Sequence, residues 1–209
     1  MNRLDKRLFT KQREVPMNQP YLFIQMSGVP GSGKTTVANA IAKHIGAVVV
    51  DHDVTKSALL NPAISVSNPG HASYLVLDAI ARSLLQQGFS VIFDSPCFYD
   101  DLLKRGQTLA AEAGATYAYI ECVLNDLTQL DQRLRHRVET DTNYPSQVTS
   151  VYGALENRAD GSGKAAINAD VFRDWIANMK RPDSAYCVLD TSQPVDACIN
   201  NALTYLQSL

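Results

Sequence analysis

Two rhythms of hydrophobic and polar positions alternate along most of this chain. Short apolar runs of strand length, rich in β-branched or aromatic residues, fall at 21–26, 47–50, 89–93, 117–123 and 185–189. Between them, apolar residues recur at helical spacing: Val37, Ile41 and Ile45 within 34–45, and Leu77, Ile80, Ala81 and Leu84 within 72–87. Further helices are predicted over 99–113, 126–139 and 194–208. Gly46, Gly88 and Gly114 stand where helices should stop. Strands separated by helices of this length predict parallel βαβ units, and so an α/β protein whose sheet is covered on both faces. Residues 141–169 break the rhythm, being rich in Ser, Asn, Gly and Asp with few large apolar groups. That much weakly patterned chain inside a compact domain predicts a functional loop or lid.

The chain has 209 residues, 45% of them hydrophobic and 19% charged, which suits one globular domain and excludes wholesale disorder. The predicted organisation is a solvated, flexible extension over 1–19 and a single domain over 20–209, with a lid or insert at about 126–182. No apolar run approaches the roughly 18 residues of a membrane span. The extension carries five basic and two acidic residues, leaving the remaining chain at −5 out of a net −2. Such an acidic body is a poor general nucleic-acid binder. Cys97, Cys122, Cys187 and Cys198 form no C-x-x-C pair and have no histidine at metal-ligand spacing. With no apolar signal-peptide core at the N-terminus, they are expected to be reduced, buried thiols of a cytoplasmic protein.

Directly after the first predicted strand comes Gly28-Val29-Pro30-Gly31-Ser32-Gly33-Lys34-Thr35-Thr36, which fits the P-loop pattern G-x-x-x-x-G-K-[ST] at every fixed position. Glycines let the backbone curl so that successive N–H groups face phosphate oxygens, and the following helix adds the positive end of its dipole. Gly28, Gly31, Ser32, Gly33, Lys34, Thr35 and Thr36 are therefore the candidate ATP-binding residues. Lys34 would reach the β- and γ-phosphates and the Thr35 hydroxyl would ligate Mg²⁺. A second G-S-G-K string at 161–164 has Arg158 where the first glycine belongs and Ala165 where the hydroxyl belongs, and is read as a loop.

A P-loop specifies a nucleotide, not a reaction, so the acids at strand ends matter next. The second strand runs into Asp51-His52-Asp53-Val54-Thr55-Lys56 and the third into Asp94-Ser95-Pro96. With the P-loop, these endings make the chain resemble the small P-loop kinases, in the group that holds polynucleotide 5′-kinases, zeta toxins and chloramphenicol phosphotransferase. The resemblance covers about residues 21–140 and 183–208. It implies a three-layer P-loop fold with a five-stranded parallel sheet in the order 2-3-1-4-5 and a helical lid. It also implies that Asp53 accepts the proton of a substrate hydroxyl and that Lys56, three positions on, anchors substrate; Arg is commoner there. Asp94 becomes the Mg²⁺-organising acid, with Asp51 its competitor. The alternative role for Asp53 is helix N-capping. His52 is read as packed or exposed rather than catalytic.

Residues 130–137 read Leu-Asp-Gln-Arg-Leu-Arg-His-Arg, which puts Arg133 and Arg137 on one helical face and Arg135 elsewhere. In the resembling kinases a lid helix here presents arginines to the transferring phosphoryl group, so both are candidates for stabilising transition-state charge. The bland reading is a solvated helix pairing with Asp131 and Glu139. Thr191, after the fifth strand, is placed by fold analogy beside the adenine, with capping of the last helix as its alternative. Together these expectations describe an ATP- and Mg²⁺-dependent kinase acting on a hydroxyl of a small molecule. The alternatives are a polynucleotide 5′-hydroxyl kinase, which would want a basic channel, and a regulatory ATPase without an acceptor. Tyr144, Tyr152, Phe172 and Trp175 either line an aromatic acceptor pocket or pack the lid.

Overall fold

The computed structural model describes residues 21–140, 148–152 and 168–209. The extension at 1–19, Tyr144 and the second G-S-G-K string lie outside the described residues. Five parallel strands, β1 (Leu22–Ser27), β2 (Val48–Asp51), β3 (Val91–Asp94), β4 (Thr116–Val123) and β5 (Cys187–Asp190), form one sheet in the order β2-β3-β1-β4-β5. The helices are α1 (Lys34–Ile45), α2 (His52–Leu59), α3 (Pro69–Gln86), α4 (Asp100–Ala113), α5 (Leu127–Thr140), α6 (Ala169–Ala177) and α7 (Val195–Gln207).

β1 shows why the sheet is covered on both faces. Its side chains alternate with period two, and all but the first residue are buried. Ile24 and Met26 enter a core with Val37 and Ile41 of α1 and Ala202 and Leu206 of α7. Phe23 enters the opposite core with Leu77 and Leu85 of α3 and Leu109 of α4. A third cluster forms where Leu130 and Leu134 of α5 meet Val151 and Phe172.

The predicted periodicity holds with one shift. On α3 the buried face is Ser73, Leu77, Ala81 and Leu85, while Ile80, expected inward, is 42% exposed. The helix begins three residues earlier than its pattern suggested, because Asn68 caps it by accepting from the His71 amide and Pro69 starts the first turn. Two helices were not anticipated. α2 starts immediately at the end of β2, and α6 follows the weakly patterned stretch 141–169, capped by Asn168 and buried through Phe172.

Candidate active site

The carboxyl ends of β1, β2 and β3 meet at one cavity of about 1470 Å³. On one side it is bounded by the P-loop, Arg133 and Thr191, and on the other by α2, α3 and residues 94–102.

The P-loop turns from β1 into α1 through glycines at positive φ. A side chain on Gly28 would put its Cβ 2.4 Å from the Cys122 carbonyl oxygen and 2.6 Å from Ser32 Oγ. Gly33, at φ 89°, occupies the N-cap position of α1, and no side chain caps the helix there. Its first amides therefore have no competing side-chain acceptor at the cap. Lys34 donates to the Val29 carbonyl at 3.0 Å, which tethers its amine across the loop. Burial pushes that amine below its usual range, while Asp94, Cys122 and Asp53 pull it back up.

Strand register brings the acids together, since Asp51 of β2 lies opposite Asp94 of β3. Their surroundings separate their roles. Asp51 is the N-cap of α2, its Oδ1 accepting from the amides of Asp53 at 2.7 Å and Val54 at 3.3 Å. Capping thus belongs to Asp51 and not to Asp53, and it engages one oxygen of the Asp51 carboxylate. Asp94 is 3% exposed, and its Oδ2 has no hydrogen-bond partner among the described residues. Burial raises its pKa to about 6 despite the Lys34 charge, the Thr35 side chain being its hydrogen-bonding neighbour.

Asp53 faces the cavity with His52 Nδ1 at 3.8 Å from its Oδ1. Burial alone would raise its pKa, but His52, Lys34 and Arg137 together hold it below the usual carboxylate range. Asp53 is thereby kept ionised at neutral pH. His52 is packed, as one of its two expected fates had it. Its ring stacks on Tyr74 at 4.3 Å, and its Nε2 lies 2.9 Å from Ser73 Oγ, which donates to the Gly70 carbonyl. Lys56 also lines the cavity.

The two arginines of α5 that were singled out, Arg133 and Arg137, diverge. Asp126 caps α5 at the Thr128 and Gln129 amides and so sets the helix's rotation. Arg133 then donates to the Thr191 carbonyl at 2.7 Å and to Thr191 Oγ1 at 3.3 Å, beside Gly33. Arg137, one turn on, donates to the Val148 carbonyl at 2.8 Å and is close enough to Lys34 and Asp53 to perturb both. Arg135 points away, as its spacing required, and pairs with Asp131, which also accepts from Ser150 and the Val151 amide. The capping alternative for Thr191 does not hold. Its hydroxyl donates to the Val123 carbonyl, and α7 starts at Pro194 with no side-chain cap.

The residues present fit a nucleotide and Mg²⁺. Ser32 Oγ in the loop and Asp94 Oδ2 at the end of β3 are buried polar atoms without partners among the described residues. The described residues contain no cluster of three His, Cys, Asp or Glu that would cage a metal alone. Thr35 and Asp94, both lining the cavity, offer the hydroxyl and the carboxylate that Mg²⁺ would take together with phosphate oxygens. Side chains that sequence reading did not single out also line the cavity, among them Tyr74, Phe98, Tyr99 and Arg105. Tyr99, the first residue of the helix predicted over 99–113, is the N-cap residue of α4.

Residues 23–182 match the model of a family described as AAA domain. Among solved structures, the fold is similar to a protein from Chloroflexus aurantiacus assigned as a kinase, with TM-score 0.64 and 20% identity over 92% of this chain and 98% of that one. It is also similar to the APS kinase CysC of Mycobacterium tuberculosis in complex with AMPPNP and APS, with TM-score 0.60 and 16% identity over 90% and 98% of the two chains. A gluconokinase from Sinorhizobium meliloti gives 0.56 and 16% over 90% and 93%. At these identities the likeness is one of fold. No curated protein sequence matches.

Proposed function

The chain belongs to the AAA domain family, and we propose that it is a kinase that moves the γ-phosphoryl group of ATP onto a hydroxyl of a small molecule, with Mg²⁺ as cofactor. The observation that carries this reading is the division of labour at the end of β2. Asp51 caps α2 through its carboxylate, while Asp53 faces the cavity and is held ionised by His52, Lys34 and Arg137. A switch that only binds its nucleotide has no need of an acid on the acceptor side.

In the reaction, the acceptor oxygen forms a bond to the γ-phosphorus as the bond from that phosphorus to the ADP oxygen breaks. The hydroxyl proton passes to Asp53. Because phosphoryl transition states are loose, the proton leaves late, and a carboxylate of low pKa suffices as its acceptor. Lys34 leaves the Val29 carbonyl for the β- and γ-phosphates, and the amides at the start of α1 hold the same oxygens. Arg133 secures the Thr191 loop on the nucleotide side, while Arg137 faces the transferring group. Thr35 and Asp94 would hold Mg²⁺, which neutralises phosphate charge as it migrates to the leaving oxygen. Lys56 contributes a cation on the acceptor side.

We place the reaction in the cytoplasm, where ATP is available and the chain's four free cysteines would stay reduced. No helix among the described residues is long and apolar enough to cross a membrane. Asp53→Asn tests the assignment. Transfer should fall by roughly 10²–10⁴ while nucleotide binding persists. Unchanged turnover would remove Asp53 from its role.

A further inference from the structure

The acceptor half of the cavity differs in character from the nucleotide half. Tyr74, Phe98, Tyr99 and Trp175 all line the cavity that Asp53 faces. Trp175 is the chain's only tryptophan. Three separate pieces of chain supply these rings: α3, the loop after β3, and α6. They are not simply core. Phe172, on the same helix as Trp175, is fully buried, whereas Tyr74, Phe98 and Trp175 are half-buried and Tyr99 is 64% exposed.

Tyr74, Phe98 and Trp175 are also held by neighbouring rings. Phe98 stacks on Trp175 with centroids 5.0 Å apart and planes 26° apart, and Trp175 leans on Phe172 at 5.2 Å. Tyr74 stacks on His52, whose Nδ1 lies 3.8 Å from Asp53. The wall on the α3 side is thus joined directly to the acid that faces the acceptor. Cations near the opposite wall are engaged by neighbours, Arg105 with Asp78 and Lys180 with Asp100. Flat, preoriented π-faces with little free conformational entropy favour a planar ring over a flexible polyol.

We infer that the acceptor is an aromatic or heteroaromatic alcohol, its ring lying against the Tyr74 and Phe98–Trp175 walls and its hydroxyl directed at Asp53. This rests on the kinase reading above for the hydroxyl, but not for the ring.

The test uses the intact protein with Mg²⁺ and a non-hydrolysable ATP analogue. Trp175 emission is followed while 2-phenylethanol, 4-pyridinemethanol and adenosine are added, against D-gluconate, D-glucose and glycerol, with calorimetry as the second readout. Ring-bearing alcohols should shift the emission and bind at least about tenfold more tightly than the polyols, since one ring stacked on an aromatic side chain is worth roughly that much. By calorimetry, Phe98→Leu should weaken their binding roughly tenfold, while Phe98→Tyr keeps it within about twofold. Melting curves establish that both variants are folded. The inference is overturned if no ring-bearing alcohol shifts the emission, if polyols bind as well, or if folded Phe98→Leu binds as before. Label transfer from ATP, run alongside, separates the two readings. Ring binding with no transfer to any alcohol overturns the kinase and leaves the ring site. Transfer to polyols alone overturns the ring site and leaves the kinase.

Discussion

Asp94→Asn should make this protein more stable without nucleotide and less able to use one. Asp94 is 3% exposed, one of its oxygens lacks a partner among the described residues, and burial lifts its pKa from an ordinary 3.8 to about 6. The sign follows from linkage. Between these two values the folded state binds more protons than the unfolded one, so this carboxyl's contribution is intact below pH 3.8 and is lost as pH rises through about 6. At 1.36 kcal/mol per unit, the buried charge costs the nucleotide-free fold about 3 kcal/mol above that window. An isosteric amide removes that charge but also takes a counter-charge from Lys34, so the expected gain is about 1–3 kcal/mol. For a domain of this size that raises Tm by roughly 2–10 °C at pH 7.5. Denaturant melts of both proteins from pH 4.5 to 7.5 should show the variant's advantage growing through the window and then levelling off. Saturating Mg²⁺ and ATP should stabilise the wild type more than the variant. A variant less stable than wild type at pH 7.5, or an advantage that ignores pH, would refute the placement of a buried, Mg²⁺-competent charge at the end of β3.

The two arginines of α5 should separate kinetically. Arg133→Ala, which releases the Thr191 loop, should raise KM for ATP roughly tenfold, whereas Arg137→Ala should lower kcat by roughly 10²–10³ with a smaller effect on KM. Identical profiles in steady-state assays would contradict their different positions. Gly106→Ala should destabilise the fold by about 1–3 kcal/mol, read by urea melts, because its Cβ would lie 2.2 Å from Gln25 Oε1. That amide is anchored, donating to the Leu102 carbonyl at 3.2 Å and accepting from the Tyr117 hydroxyl at 2.8 Å. A neutral result would mean that Gln25 moves aside.

How much of this could be read from the chain depends on the range of the interactions involved. β1, the P-loop and α1 were legible because strand, glycine turn and helix are contiguous, and Gly46 stops α1 where expected. The sheet order came through the family resemblance, and the register that sets Asp51 beside Asp94 is visible only in the fold. α2 was missed because Asp51-His52-Asp53 reads equally as a strand end or a cap, and the choice depends on which carboxylate meets the amides. α6 did carry a signal, Asn168 before an apolar spacing of Val171, Phe172, Trp175 and Ile176, but the polar stretch in front obscured it. Arg133 and Arg137 share a face, so spacing could not divide them. What divides them is Thr191, 58 residues from Arg133 in sequence. The aromatic wall gathers side chains from three elements and has no local pattern at all.

The central claim is transfer rather than hydrolysis, and the fate of the γ-phosphoryl group tests it most directly. The protein is incubated with Mg²⁺, γ-labelled ATP and a metabolite extract, with a 5′-hydroxyl oligonucleotide in a parallel reaction. The labelled products are then separated and identified. The account predicts label in a small organic phosphate ester that disappears in Asp53→Asn. Label confined to free phosphate, in equal amount with wild type and variant, would contradict it.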